Sequence, residues 1–363
     1  MICFLLALLS LTAVSRASKL GLCCINCNAT QYTPFTNLSW AYRYSLFIDT
    51  PNAAKWFNNN NIEFVAHLAH KHVPLPEGKA CNFDGVKGKT PLCTDQMLDA
   101  ALQSNGKDQT VQYLMGWNEA YDQGGSKGKK KYITPAQAAT WWRVFVQGMA
   151  SRANLTLVSP TTGVEKNKLH WLGNMILECW AQRNQGCDVD SMAAFSVHDY
   201  KCGETYWRDN YGKQGVFQTT LKKFLYQGVS RELTGTGILG TNTEKNWTAY
   251  VDSRQIWVTE TNCNGDTGWP PTAPVSAEEQ CARITGQRMN ASCGLYGKCG
   301  VGSIAAMESM ETIARVSWWN TWQRNVDNST KTANAMLVNA MGKLYPPGRG
   351  IVNGVSTTDC AQE

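Results

Sequence analysis

The chain has 363 residues with a net charge of +6; 17% are charged and 10% aromatic, including 14 Trp. This size fits two average domains or one α/β barrel, and few charges with many indoles suit a secreted protein that binds flat rings such as sugars. The positive charge is diffuse except at Lys127–Lys131, which lacks an aromatic or helical stripe, so we expect no nucleic-acid partner.

The first element is an apolar run at Ile2–Val14, followed by Ser15-Arg16-Ala17, which has the small-x-small pattern of a cleavage site. Neither this run nor any later one is long enough to span a membrane comfortably, so no membrane partner is expected. We therefore predict a signal peptide at 1–17, a mature chain at 18–363 and an extracellular or cell-wall location. Six N-x-[ST] sequons agree with secretion and predict a glycoprotein; they are Asn28, Asn37, Asn154, Asn246, Asn290 and Asn328.

The 14 cysteines also favour an oxidising compartment. Removal of Cys3 with the signal peptide leaves an odd number, so at least one cysteine is a thiol or pairs with another chain. Cys24 and Cys27 have the spacing of a metal or redox pair, but no second pair matches them, and a structural disulfide role is favoured. Three short loops are candidate bridges: Cys81–Cys93, Cys179–Cys187 and Cys293–Cys299.

Short apolar runs alternate with amphipathic segments along the mature chain. Thr134-Pro135-Ala136-Gln137 has the pattern of a capping box and opens a helix through Met149. Other predicted helices are Trp171–Ala181, Val216–Leu233 and Cys281–Met289. The predicted strands are Leu20–Asn26, Trp40–Phe47, Ile62–Leu68, Val111–Trp117, Leu155–Pro160, Met192–His198, Gln255–Glu260 and Ile313–Trp319. Eight strand–helix repeats favour a single (β/α)8 TIM barrel with disulfide-stabilised loops.

Two glutamates lie at the ends of the fourth and seventh predicted strands, Glu119 and Glu260. The carboxyl ends of the strands form the active-site face of a TIM barrel, so both carboxylates should lie at one mouth. One acid/base and one nucleophile are what a retaining glycosidase needs. A lone Asn-Glu pair occurs by chance in most proteins and does not indicate a glycosidase by itself. Two glutamates at the ends of two strands are a far more selective indication.

Further candidate residues follow the same strand ends. In the second strand, alternation places Trp40, Tyr42 and Tyr44 on one face. Aromatic rings there can stack on sugars, but they can equally fill the barrel. The full set of candidate substrate-binding residues is Asn118, Trp40, Tyr42, Trp117, His198, Tyr200, Trp318 and Trp319.

Other chemistries lack support in the sequence. His67, His70 and His72 have no defined acidic or cysteine partner, so core or rim histidines are favoured over metal ligands. The chain has no G-x-S-x-G elbow, no P-loop and no G-x-G-x-x-G after a strand. We therefore expect neither a metal nor a cofactor.

In chain order, GWNEAY, TPAQAATWW, LVSPTTG, HWLGNMILECW, CDVDSMAAFSVHDY, IWVTETNC, IARVSWWNTW and NAMLVNAMGKLYPPG resemble glycoside hydrolase family 128, the alkali-sensitive-linkage-like glycosyl hydrolase catalytic core of clan A type. The resemblance spans about Trp40 to Gly348. It implies a barrel that cleaves β-1,3-glucan with retention, with Glu119 as acid/base and Glu260 as nucleophile. It also implies that Asn118 holds the sugar 2-hydroxyl and that His198 and Tyr200 line the cleft.

The chain departs from this family at Asp199, where members commonly carry Trp between His and Tyr. The sequence thus predicts a secreted, monomeric glycoside hydrolase, an endo-β-1,3-glucanase that uses two glutamates. For the acid to keep its proton, the neighbouring anionic nucleophile should raise its pKa while Glu260 stays ionised. Two alternatives remain: a non-catalytic glucan-binding barrel, such as a wall-associated lectin or effector, and a structural wall protein.

Overall fold

The computed structural model describes residues 19–23, 35, 38–44, 46, 56–68, 111–121, 133–201, 204–227, 245–261 and 303–318. Several sequence predictions fall outside these ranges. They are the signal peptide, the lysine run at 127–131, the cysteine pairs 81/93 and 293/299, the helix at 281–289, His70, His72, Trp319, and four sequons, Asn28, Asn37, Asn290 and Asn328.

The described strands form a parallel barrel. The barrel strands are β1 Leu20–Cys23, β2 Trp40–Tyr42, β3 Glu63–Leu68, β4 Tyr113–Trp117, β5 Thr156–Val158, β6 Met192–His198, β7 Gln255–Thr261 and β8 Ile313–Trp318. Neighbouring strands pair in the order β5-β4-β3-β2-β1-β8-β7-β6, and a further pairing of β5 with β6 closes the ring. A two-residue strand, Thr162–Gly163, also pairs with β6. All eight predicted strands, and with them the TIM-barrel prediction, are confirmed.

Helices pack around the outside of the barrel. The described ones are α1 Pro135–Trp141, a π-helical turn Trp142–Val146, α2 Gln147–Ala153, α3 Lys166–Ala181, α4 Glu204–Tyr211, α5 Val216–Gln227, α6 Trp247–Asp252 and α7 Ser303–Ser309. The predicted capping box is confirmed, because the Thr134 hydroxyl accepts from the Gln137 amide and the Gln137 side chain accepts from the Thr134 amide. Helix α3 begins five residues before the predicted Trp171, at Lys166.

The strands separate two hydrophobic cores. Side chains that point out of the barrel pack with the helices in one large cluster. Side chains that point inward fill the barrel itself, as they do in TIM barrels generally. This inner set is Cys23, Trp40, Tyr42, Val65, Met115, Val158, Ala194 and Trp257. The inner core supports the residues at the barrel mouth from below.

One disulfide is present among the described residues. Cys179 and Cys187 are bonded, with 5.3 Å between their Cα atoms. The bond ties the end of α3 to the turn before β6, and it confirms one of the three predicted local bridges. Cys23, at the end of β1, is a buried thiol. Among the helices of the described ranges, none has both the length and the apolarity needed to cross a membrane.

Candidate active site

Irregular strand pairing shapes the carboxyl end of the barrel. The register between β6 and β7 shifts at Val197/His198, so that His198 pairs with Glu260. The register between β7 and β8 also shifts between Val258 and Thr261. Such bulges re-aim side chains, and they are common beside active sites. Alternation along β6 already places His198 on the inner face with Ala194, whereas strict alternation would leave Glu260 on the outer face with Val258, so the bulges account for the placement of Glu260.

Glu119 is placed by a strained turn after β4. Its φ is 45°, in the left-handed region that residues other than glycine rarely adopt. Such a backbone conformation costs of the order of 1 kcal/mol and is frequent at functional sites. The preceding residue, Asn118, bridges to Thr161 beyond β5. Gly116 allows this approach, because a Cβ there would lie 2.6 Å from the Pro160 nitrogen.

The imidazole of His198 lies between the two glutamates. Its Nδ1 is 3.0 Å from Oε1 of Glu119, and its Nε2 is 3.1 Å from Oε1 of Glu260. The first contact is a hydrogen bond, whereas the second has the distance of an ion pair without hydrogen-bond alignment. The two carboxyl groups that the sequence placed at one mouth are therefore brought together there, one ring apart.

The two carboxyl groups differ in burial. The Glu260 side chain is 4% exposed and that of Glu119 is 27% exposed. Tyr44 donates its hydroxyl to Oε1 of Glu260, and Tyr200 donates to Oε2. Glu119 accepts from the hydroxyl of Tyr121, 3.3 Å away. Glu260 is thus held from both oxygens, whereas Glu119 is open to the solvent side.

The electrostatics of the site follow from this burial. Burial raises the pKa of Glu260, and Glu119 raises it further, although His198, Tyr200 and Tyr44 oppose the shift. Burial acts to lower the pKa of His198, but the two carboxylates outweigh it and the pKa of His198 is raised. A raised carboxyl pKa, expected for the acid, is therefore found on the proposed nucleophile. The reason is that Glu260 is the more deeply buried of the two.

The tyrosines remain donors at ordinary pH. Burial, followed by nearby negative charge, raises the pKa of Tyr44 and Tyr200 well above the usual value. Asn118 has a different character, since its Oδ1 is buried and has no hydrogen-bond partner among the described residues. The mouth thus combines hydroxyl donors with one open acceptor.

Three of the predicted sugar platforms are buried. Trp40 is the first residue of β2 and 1% exposed, and its indole N–H donates to the Lys19 carbonyl at the amino end of the barrel. Tyr42 is fully buried and donates to the Thr259 carbonyl. Trp117 is also fully buried, with its ring 6.0 Å from that of Trp141 in α1. All three are packed in the interior of the protein, away from the exposed part of the mouth, and their role in substrate binding stays a prediction.

The physical reason lies in depth along the strand. Alternation does place Trp40, Tyr42 and Tyr44 on one face, and their rings follow one another at 5.7 and 6.1 Å. A strand rises about 3.3 Å per residue, so alternate residues occupy successive layers of the barrel. Only Tyr44 reaches the glutamates. All three residues lie on the predicted face. Alternation along the strand, however, does not show which layer of side chains in the barrel reaches the active site.

The remaining candidates divide by position. His198 and Tyr200 lie at the mouth as expected. Trp318 ends β8 at the correct end of the barrel, but its side chain is fully buried, so its role as a platform stays a prediction. The sequence pattern does not indicate Tyr121 as a site residue, although it contacts Glu119 and belongs to the same GWNEAY motif.

In the part of the chain that the structure describes, His, Cys, Asp and Glu form no group of three that could hold a metal ion.

Solved structures with similar folds include several β-1,3-glucanases. One is a GH128 subgroup II endo-β-1,3-glucanase from Sorangium cellulosum, with 16% identity, TM-score 0.53, and coverage of 93% of this chain and 98% of that chain. Another is a subgroup III curdlan-specific exo-β-1,3-glucanase from Blastomyces gilchristii in complex with glucose, with 15% identity, TM-score 0.51, and coverage of 92% and 97%. A third is a subgroup I endo-β-1,3-glucanase from Amycolatopsis mediterranei in complex with laminarihexaose, with 13% identity, TM-score 0.50, and coverage of 93% and 99%. At these identities the similarity shows the fold.

A search of the curated proteins gave no match. A comparison with protein-family models, in contrast, gave a match. Residues 21–213, more than half of the chain, match the model described as "Glycosyl hydrolase catalytic core". The matched part contains Glu119, His198 and Tyr200, and Glu260 follows it on the same barrel. The chain therefore belongs to the glycosyl hydrolase catalytic core family.

Proposed function

We propose that this glycoside hydrolase cleaves β-1,3-glucan with retention, as a secreted endo-acting enzyme. One observation carries the reaction type: a single imidazole, His198, contacts the carboxyl groups of both Glu119 and Glu260 at the barrel mouth. The substrate class is supported by the solved structures of similar fold, which are β-1,3-glucanases, one of them in complex with laminarihexaose.

The roles of the glutamates follow from their environments. Glu119 is the more exposed carboxyl, so it can reach the glycosidic oxygen of a leaving sugar and protonate it. Glu260 is held by two tyrosine hydroxyls, which fix the direction from which an oxygen can attack the anomeric carbon. Retention requires carboxyl groups about 5–5.5 Å apart. The contacts of both carboxyl groups with one imidazole place them at the same mouth, and the retaining spacing is part of the proposal that the product stereochemistry tests.

The reaction then proceeds in two displacements. Oε of Glu260 bonds to the anomeric carbon as the glycosidic C–O bond breaks, and the Glu119 proton goes to the leaving oxygen. Glu119, now a carboxylate, takes a proton from water, whose oxygen attacks the same carbon and releases Glu260. The Asn118 Oδ1, which has no hydrogen-bond partner among the described residues, can accept a hydrogen bond from a sugar hydroxyl, which supports the role that the resemblance implies for it.

The burial of Glu260 sets the pH range of this chemistry. Because burial raises its pKa, the nucleophile is ionised only at a pH above the usual range of a glutamate. The imidazolium form of His198, whose pKa is also raised, offsets the negative charge of the pair. Activity should therefore be lost on the acid side as Glu260 gains a proton.

Secretion and glycosylation rest on separate observations. Two of the six sequons lie in the described ranges, and both Asn154 and Asn246 are exposed. Mass spectrometry of the secreted protein should find a start near Ser18, N-glycans and several disulfides. An intact N-terminus with no glycan mass and only free thiols would contradict the proposed compartment without affecting the proposed reaction.

Release of reducing sugar from laminarin tests the activity. The wild-type protein should release it, and the variant with both Glu119→Gln and Glu260→Gln should not. Glu311→Gln, which changes a carboxylate on the protein surface, serves as the matched control. Binding of laminari-oligosaccharides without any wild-type turnover would instead favour the non-catalytic glucan-binding barrel, and neither binding nor turnover would favour a structural wall protein.

A further inference from the structure

A buried carboxylate, Asp199, lies in the sequence between His198 and Tyr200, two residues of the active site at the end of β6. Asp199 is 2% exposed. Its Oδ2 accepts two tyrosine hydroxyls, from Tyr206 at 2.6 Å and from Tyr211 at 2.7 Å, and its Oδ1 accepts the Lys201 amide at 3.2 Å. Both tyrosines belong to α4, so this one side chain attaches the helix to the barrel mouth.

The backbone of Asp199 is fixed as well. Its amide donates to the Glu260 carbonyl at 2.9 Å. On one side of Asp199 is His198, which contacts both glutamates, and on the other is Tyr200, which donates to Glu260. The side chain of Asp199 points away from these groups into α4. It can therefore act on the glutamates only through the placement of its neighbours.

We propose that Asp199 is a positioning residue: its bonds to Tyr206 and Tyr211 hold the turn that carries His198 and Tyr200, and thereby the relative placement of the two glutamates. The inference rests on the proposed function and deepens it. Between His198 and Tyr200, this chain has a carboxylate that contacts two tyrosines of α4. In this chain, position 199 therefore anchors the site from the side facing α4.

The groups that face Asp199 are the hydroxyls of α4, the Lys201 backbone amide and the β7 main chain. The Lys201 ammonium lies 5.2 Å from the centroid of the Tyr206 ring. Burial raises the pKa of Asp199 to about 6, with the two tyrosines and Lys201 opposing the shift. Asp199 is the residue next to His198. Its titration in this range should therefore make the placement of His198 depend on pH.

The test uses the full-length protein with three changes: Asp199→Ala, Asp199→Asn, and the double change Tyr206→Phe with Tyr211→Phe. Tyr226→Phe removes an exposed hydroxyl of α5 and is the control. A misplacement of about 1 Å can cost about 100-fold in rate. We expect Asp199→Ala to lower kcat on laminarin by about 10- to 100-fold with little change in KM, and Asp199→Asn to recover part of that loss because an amide oxygen still accepts.

A second readout does not depend on turnover. NMR titration of the His198 imidazole should shift in Asp199→Asn and in the double phenylalanine variant, and it should not shift in Tyr226→Phe. If Asp199→Ala does not fold, these two variants carry the test. Variants that keep the wild-type kcat and the wild-type His198 titration would overturn the proposal, whatever their loss of stability. A wild-type protein inactive on glucan would refute the proposed function while the titration still tests the positioning role.

Discussion

Charged groups are wholly or partly buried at both ends of this barrel, but they are neutralised in different ways. At the amino end, Nη2 of Arg315 in β8 lies 2.6 Å from Oε2 of Glu63 in β3. The Arg315 guanidinium also lies 4.3 Å from the ring of Trp257, 4.6 Å from that of Tyr113 and 5.4 Å from that of Trp40. An arginine does not lose its proton in proteins, so its charge is fixed at all ordinary pH.

At the carboxyl end, every charged partner can titrate. Glu119 and Glu260 both contact the His198 imidazole. Burial raises the pKa of Glu260, and the two carboxylates raise the pKa of His198. The comparison teaches that placing charged groups inside the barrel can serve two purposes. A permanent cation stacked on aromatic rings contributes stability, whereas carboxylates facing an imidazole can exchange protons with a substrate. This division matches the general rule that TIM barrels keep stability at the amino face and chemistry at the carboxyl face.

The largest expected effect comes from the carboxyl end. Glu260→Ala should abolish turnover because it removes the carboxylate that forms the glycosyl-enzyme bond. Glu119→Ala should slow laminarin cleavage by about 10²–10⁴-fold, the usual contribution of general acid–base catalysis. It should spare attack on aryl β-glycosides, whose leaving groups need little protonation. Steady-state kinetics on both substrates measures the split.

The control for this comparison is a glutamate at the other end of the same barrel. Glu63→Gln should retain the wild-type kcat on laminarin and on aryl glycosides. Equal losses of laminarin and aryl-glycoside cleavage in Glu119→Ala would remove its role as the acid. A loss of kcat in folded Glu63→Gln would show that the two ends are not separable.

A smaller effect is expected at the amino end, on stability alone. Breaking a buried pair by removing one partner costs about 3–5 kcal/mol. The side chains of Arg315 and Glu63 are still 15% and 21% exposed, so we expect the lower end of that range for Arg315→Met. Urea unfolding measures the loss, and adding Glu63→Gln should restore part of it. An Arg315→Met protein as stable as wild type would mean that the ion pair contributes nothing net.

The smallest effect is a dependence of stability on pH. The folded-state pKa values of Asp199, Glu260 and His198 are all raised, so the folded protein binds protons more readily than the unfolded chain and loses stability as pH rises. For Asp199 the loss falls between its ordinary 3.8 and about 6. At about 1.4 kcal/mol per pKa unit it amounts to at most about 3 kcal/mol.

Thermal melts of wild type and Asp199→Asn across this pH range check the sign. The wild-type melting temperature should fall more steeply than that of the variant between pH 4 and 6, because asparagine does not titrate. Parallel curves would show that Asp199 is not the group responsible.

The pattern of the sequence is sufficient for the strands and for the glutamates, because apolar runs, caps and strand ends are local signals. All eight strands and the pairing of Glu119 with Glu260 at one mouth could be predicted in this way. The depth of a side chain in the barrel could not, which is why Trp40 was expected at the mouth although it lies beside Arg315 at the opposite end. Depth depends on where each strand starts relative to its neighbours.

Two further features of the site depend on long-range geometry. The bulges that place Glu260 at the mouth arise from pairing between strands and have no local sequence pattern. The bonds of Asp199 to Tyr206 and Tyr211 depend on how α4 packs against the barrel. Residues that position the site residues from outside the site are therefore the ones that sequence patterns predict least well.

The most direct test of the two-glutamate mechanism is the stereochemistry of the first-formed product. Wild-type protein is mixed with laminari-oligosaccharides in an NMR tube, and the anomeric signals are recorded before mutarotation. Attack by Glu260 followed by attack of water from the opposite face gives two inversions, so the new reducing end should appear first as the β-anomer. Initial release of the α-anomer would contradict the assignment of Glu260 as nucleophile.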